Sequence, residues 1–295
     1  MTTLCVTTQR SLWLDGIALW TPRAPGWAVA GPALRGAALP DYPQSPHGLR
    51  PAPTLLAANE RRRAPDSVLL ALEVASAALA GSGHDPATTA SVFTSAHGDL
   101  PITDALCRTL ATDPRLLSPT RFHHSVHNAA SGYWAIASGC SASSTALSAF
   151  KASFAAGWLE AASLCACDRV PVLLVGFDTA AVGPLVSVNR SRGLLGVALV
   201  LAPQPSAASR WQVDWQLTPV AEAATAPALR SALAQSLADN AMADALPLFE
   251  ALACSRKTEL ALPGAGLRLR LSPMQPPVCG NASPVAAGAG PPCLQ

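Results

Sequence analysis

The side chains best suited to chemistry gather in one stretch, Ser118 to Ala162, SPTRFHHSVHNAASGYWAIASGCSASSTALSAFKASFAAGWLEAA. It holds His123, His124, His127, Asn128 and Cys140. A cysteine becomes a strong nucleophile when a helix N-terminus or a basic neighbour stabilises its thiolate. Acyl transfer through such a thiolate also needs neutral polarising groups and N–H donors for the thioester oxyanion. Cys140 stands in Gly139-Cys-Ser-Ala-Ser, and the three upstream histidines are candidate bases for it. His123 and His127, four apart, could share a helix face and a metal, but no carboxylate accompanies them as an HExxH site requires. No metal is therefore expected. The simpler reading of His127 and Asn128 is a buried polar pair, hydrogen-bonded to neighbouring backbone and holding a turn. A serine triad has no support. Gly139-Cys-Ser141-Ala-Ser143 fails GxSxG at its last position, and His97-Gly98-Asp99 comes without a placed serine.

The elements that would position these residues read as a helix, a small-residue turn and a second apolar helix from Ala146 to Ala161. Phe150, Phe154 and Trp158 fall at i, i+4 and i+8 along that helix, a stripe that packs a core or lines a tunnel. Upstream, Pro65 followed by Asp66-Ser67 signals a helix start, with Val68, Leu69, Leu72, Ala75 and Leu79 at helical spacing up to about Ala80. Ser91 to Ser95 reads as a short buried strand ended by His97-Gly98-Asp99, and a further helix is expected from about Thr103. Arg169 to Gly176 and Leu194 to Leu201 read as strands covered on both faces. Leu12 to Pro53, rich in Pro, Gly and Trp, suggests a strand and an ordered loop. After Pro203, the alternation of Trp211, Val213 and Trp215 predicts a strand, Ala226 to Ala253 reads as largely helical, and Thr258–Leu262 with Leu267–Leu271 predicts a hairpin. Strands alternating with helices of these lengths argue for a layered α/β architecture.

Composition narrows the function. The chain has 295 residues, 50% apolar and 13% charged, with a formal net charge of +2. A polyanion binder shows a basic face or tail; the one dense basic run here is Arg61-Arg62-Arg63, read as a solvated run or a local anion or partner contact. No nucleic acid is expected. The first residues carry no continuous apolar segment of the secretory kind, and the longest apolar runs are roughly half what a bilayer span needs. A cytoplasmic protein with no membrane span is expected. The eight cysteines include no CxxC pair, and no nucleotide fingerprint of the GxGxxG or GxxxxGK[ST] type occurs, so no cofactor is expected.

Several longer motifs carry a resemblance. They are Arg61-Arg62-Arg63-Ala64, Val92-Phe93-Thr94-Ser95-Ala96-His97-Gly98-Asp99, Leu117-Ser118-Pro119-Thr120-Arg121-Phe122, Ser125-Val126-His127-Asn128-Ala129, Gly132-Tyr133-Trp134, Thr145-Ala146-Leu147, Ser153-Phe154-Ala155-Ala156-Gly157, Leu159-Glu160-Ala161 and Pro171 to Val175. Over Arg61 to Ala202 the chain resembles the beta-ketoacyl synthase-like N-terminal family of aryl-polyene and xanthomonadin-type clusters. The resemblance implies a thiolase-like α-β-α fold similar to the N-terminal half of a ketosynthase, over residues 10–203. A short α+β extension, 204–272, would pack on it, and residues 273–295 would form a disordered tail.

The resemblance also implies a chain-length-factor type of subunit, paired as a heterodimer with an active ketosynthase and served by an acyl carrier protein. Thr145-Ala146-Leu147 matches the ketosynthase Thr-Ala-Cys motif, which sets Leu147 at the nucleophile position. All six histidines lie between His47 and His127, whereas a ketosynthase carries its catalytic histidines after the cysteine. The region after Ala202 is also too short for a full second thiolase half. No catalytic residue is therefore expected. His127, Asn128, Trp134, Leu147, Phe150 and Phe154 are candidates for an acyl tunnel or subunit interface. Two alternatives stay open. The spacing from Cys140 to Gly157 resembles the cysteine-to-glycine spacing of real ketosynthases, which would make Cys140 the nucleophile of a self-sufficient acyltransferase. The subunit could also be a scaffold without influence on chain length.

Overall fold

The computed structural model describes residues 10–40, 49–188, 190–218, 227–262 and 264–274. Its centre is one mixed sheet. The strands are β1 (Arg10–Thr21), β2 (Ala24–Pro25), β3 (Ala90–Thr94), β4 (Ser144–Leu147), β5 (Val172–Asp178), β6 (Leu195–Ala202), β7 (Trp211–Leu217), β8 (Thr258–Leu262) and β9 (Leu267–Pro273). They lie in the order β4-β3-β5-β6-β1-β7-β9-β8, with β2 folded back on β1. β3 pairs in parallel with both β4 and β5, and the remaining pairs are antiparallel.

Strand alternation divides the core into two layers. Leu173, Val175 and Phe177 of β5 face one side, with Ala198 and Val200 of β6. Val172 and Leu174 face the other, with Leu195, Val197, Leu199 and Leu201. This is the period-2 arrangement of strands buried on both faces. On the first side lie α3 (Asp66–Ala80) and α6 (Ala129–Ser138). On the second lie α1 (Trp27–Leu34), α7 (Ser153–Asp168), α8 (Ala232–Ser236) and α9 (Leu246–Cys254). α2 (Ala58–Arg63) precedes α3, while α4 (Leu100–Thr112) and α5 (Pro119–Ser125) fill the passage from β3 towards β4. Each fully buried Leu, Val or Phe contributes about 1.5–3 kcal/mol of transfer free energy, so the two apolar layers dominate the stability.

Helix α3 has the bounds its sequence signals predict. It buries an almost continuous surface from Ser67 to Leu79 against β1, β5 and β6. Gly196 permits the approach: a Cβ there would stand 2.8 Å from Leu70 Cδ1. The strand β3, the strand β7 and the hairpin β8–β9 also follow the pattern read from sequence.

Three expectations need correction. Among the described residues of Leu12 to Pro53, the twelve-residue strand β1 and the short β2 are followed by a helix, α1, that carries Gly31 and Pro32 internally, which propensity does not favour. The helix after β3 begins at Leu100, because the Asp99 carboxylate accepts the Ile102 N–H and caps it three residues earlier than predicted. Among the described residues of Ala226 to Ala253 only α8 and α9 are α-helical, with a 3-10 turn at Ala243–Ala245 between them. Beyond Pro203, β7, β9 and β8 continue the sheet past β1, and α8 and α9 join the face of α7. The predicted tail lies, from residue 275 on, outside the described residues.

Candidate functional site

The parallel strands β3, β4 and β5 run side by side, so their C-terminal ends deliver three loops to one edge of the sheet. In open α/β sheets this is where ligands and catalytic groups gather. The loop after β3 brings Ser95, Ala96 and His97; that after β4 brings Ser148 to Lys151; β5 ends in Asp178.

The connection from β4 to α7 overturns the predicted helix from Ala146. Thr145-Ala146-Leu147 is strand, paired with Val92, Phe93 and Thr94. Phe150 then takes a left-handed backbone conformation, φ 53°, and opens a 3-10 turn to Ala152 before α7 starts at Ser153. A non-glycine residue held there costs about 1–3 kcal/mol. Ser153 helps offset it: its Oγ accepts the Ala149 N–H at 3.1 Å and donates to the Phe150 carbonyl at 2.7 Å. Asp244 contributes from a distant segment, its Oδ2 accepting the Phe154 N–H at 3.0 Å. A sharp, strained strand-to-helix turn of this kind presents the nucleophile in other α/β enzymes. Here the strained residue is a phenylalanine, and Leu147 ends the strand three residues earlier.

Behind the turn, Asp178 is fully buried. It accepts Ser95 Oγ at 2.7 Å, the Ala96 N–H at 3.0 Å and the His97 N–H at 3.2 Å. His127 Nε2 meets the Ser95 carbonyl at 3.0 Å, tying the turn between α5 and α6 to the same loop. Burial pushes the Asp178 carboxyl up to about 7, against the opposing pull of its three hydrogen bonds. Burial likewise raises Asp244 to about 7; the amides of Phe154 and Ala155 oppose this and the charge of Asp178 reinforces it. His97 is lowered by burial, and its Nε2 has no partner among the described residues.

A cavity of about 460 Å³ opens beside the turn, against Lys151, Val186, Val188, Arg190, Asn240 and Asp244. Its lining contains no cysteine and no histidine. It supplies charge and shape without a nucleophile–base pair.

The sequence-predicted residues separate into groups. Leu147, Phe150, Phe154 and His127 come to this edge, although Phe154 points inward and is fully buried, its ring 6.2 Å from that of Phe249. Phe150 is 47% exposed and is not on α7, so the expected stripe reduces to Phe154 and Trp158 in the core. Trp134 is buried on the opposite face of the sheet. Asn128 is exposed, not buried; its backbone carbonyl accepts the Gly132 N–H and Ser131 Oγ.

Cys140 does not precede a helix. It follows the left-handed Gly139 that ends α6, and its Sγ lies 3.5 Å from the Thr89 carbonyl. No helix dipole supports a thiolate there, and no hydrogen bond joins it to a histidine among the described residues. His123 and His127 do not share a helix face, since α5 ends at Ser125. His124 instead pairs with Tyr133 Oη at 2.9 Å. No cluster of three metal-ligating side chains occurs among the described residues. Asp178 and Asp244 were missed in the sequence. The only signal for Asp178 is a carboxylate closing the apolar run VLLVGFD, and Asp244 has none.

The sequence profile of the beta-ketoacyl synthase N-terminal domain matches residues 38–265. The chain belongs to that family. No curated protein matches it. Among solved structures, this beta-ketoacyl synthase-like chain is similar to the complex of the ketosynthase ApeO with its chain length factor ApeC from Xenorhabdus doucetiae. The identity is 20% and the TM-score 0.64, covering 89% of this chain and 99% of that one. The ishigamide ketosynthase/chain length factor gives 16% identity and a TM-score of 0.60, covering 89% and 98%. The AntDE:AntF complex, a type II acyl-carrier protein with its ketosynthase, gives 12% and 0.63, covering 90% and 100%. At these identities the likeness establishes the thiolase-like fold. No described helix is long and apolar enough to cross a membrane.

Proposed function

We propose that this chain is a non-catalytic subunit of the chain-length-factor type, paired with an active beta-ketoacyl synthase in the assembly of polyene or fatty-acid-like acyl chains. The observation that carries the reading is the β4–α7 turn. In this reading the turn is the counterpart of a nucleophile-bearing one; it carries Leu147 and Phe150, and the first turn of α7 is already occupied by the Asp244 carboxylate. In this reading the partner supplies cysteine and histidines, acyl carrier protein docks on the pair, and both work in the cytoplasm. His127, Asn128, Leu147 and Phe150 stand near the interface, while Trp134 and Phe154 support it from the core.

The surface favours a partner. β4 is an edge strand of only four residues. β4 touches α6, which packs on α5 and through it on α4, and on these helices and the turn Leu110, Phe122, Ile136 and Phe150 keep 47–85% of their surface exposed. Exposed apolar groups in number mark an interaction face.

Co-expression with a ketosynthase encoded beside it tests the reading. Stable co-purification, with acyl label on the partner alone, is the expected result. Acyl label on this chain that disappears in Cys140→Ala would establish the self-sufficient acyltransferase instead. Product length in the reconstituted pair separates a length-setting subunit from a scaffold: Phe150→Ala shifts it in the first case and leaves it unchanged in the second.

A further inference from the structure

The arginine run of α2 has no part in the site above, yet the fold gives it a place. Arg61 is spent on the Pro53 carbonyl, at 3.2 Å. Arg63 instead lines a cavity of about 460 Å³ together with Arg50, Arg121 and His124, which come from the segment before α2 and from α5. The rest of the wall is largely apolar, including Pro101, Ile102, Val182 and Leu194. Volume and lining fall within the range of small-molecule sites.

Charge accounting shows which cations remain available. Two carboxylates, Asp66 and Asp99, also reach the cavity. Asp66 is neutralised by Arg50, whose Nε lies 2.5 Å away, and Arg50 also donates to the Ala64 carbonyl. Asp99 is directed into the scaffold: it accepts Ser67 Oγ at 2.7 Å and the Ile102 N–H at 2.9 Å. Arg63 and Arg121 make no side-chain hydrogen bond or ion pair among the described residues, and both are exposed. The cavity therefore joins two uncommitted guanidinium groups to an apolar wall. Guanidinium forks match the oxygens of a phosphate bidentately, and two of them suit a dianion better than a single carboxylate.

We propose that this cavity is a binding site for a phosphate monoester, with Arg63 and Arg121 on the phosphate and the apolar wall against its organic part. Phenyl phosphate is the probe. Isothermal titration of the full chain at low salt is expected to show saturable one-to-one binding, tighter than that of inorganic phosphate and weakened by added salt. The double variant Arg63→Gln/Arg121→Gln is expected to lose about tenfold or more in affinity with an unchanged unfolding midpoint. Arg115→Gln, a control on an exposed arginine paired with Asp113, should bind like the parent. Absence of saturable binding, or an equal loss in Arg115→Gln, would overturn the proposal. Equal affinity for inorganic and phenyl phosphate would overturn the role of the apolar wall and so the monoester assignment.

Discussion

Asp244 Oδ2 accepts the backbone N–H of Phe154 at 3.0 Å, across 90 positions of sequence. A carboxylate from the region after β7 thus closes the first turn of α7, in the chain's most chemically suggestive stretch. The positive end of the helix dipole is satisfied internally.

This arrangement fixes a pH dependence. Asp178 and Asp244 have folded-state values near 7, above the ordinary 3.8 of an unfolded carboxyl. The folded state binds more protons than the unfolded one between those values, so their contribution is full below about 3.8 and is lost as pH rises through 7. His97, lowered by burial, acts oppositely, losing stability as pH falls through its unfolded value of 6.5. Urea unfolding at several pH values should show Asp178→Asn and Asp244→Asn each flattening the decline between pH 5 and pH 8. A slope identical to the parent in both variants would refute the assignment.

Phe154 and Phe150 should respond to truncation very differently. Phe154→Ala leaves a hole against Phe249 and should cost about 3–5 kcal/mol in urea unfolding. Phe150→Gly relieves the left-handed backbone and removes a half-exposed ring, so its stability should stay within about 1 kcal/mol of the parent and above that of Phe150→Ala.

Gly157 is a test of packing against propensity. Alanine normally favours a helix interior over glycine by about 1 kcal/mol. Here its Cβ would lie 2.8 Å from Thr94 Cγ2 and 3.1 Å from Leu174 Cδ1, both on buried strands. Gly157→Ala should therefore destabilise by about 1–3 kcal/mol, and a stabilised variant would contradict the packing.

The edge strand offers a variant aimed at assembly. Ser143 and Leu147 direct their carbonyls to the N–H groups of Ser91 and Ser95. By the two-residue period, Ala146 points its N–H away from the sheet. Ala146→Pro removes that outward donor and no bond to β3. It should abolish ketosynthase co-purification while the thermal midpoint of the isolated chain moves little.

The sequence made α3, β3, β5, β6 and the β8–β9 hairpin legible, because each carries a local period or a local stop signal. Thr145 to Phe150 was not. Alanine-rich residues favour a helix, and the spacing of Phe150, Phe154 and Trp158 imitates one, yet β3 recruits the first part as a strand. The strained residue at the turn is held by Ser153 nearby and Asp244 far away, and no window of sequence contains both. The site therefore shows in its motifs but not in its geometry. Motif matching names Leu147, while the backbone singles out Phe150.

The position of β1 governs how the chain must fold. Trp13 pairs with Ala202 on one side and with Gln212 on the other. β1 therefore precedes both of its long-range neighbours, and its apolar length can pair with them only after β6 and β7 have been made. Such long-range pairing slows folding and exposes a sticky edge meanwhile. Yield in cells should depend on chaperone supply during translation more than on the stability of the finished molecule.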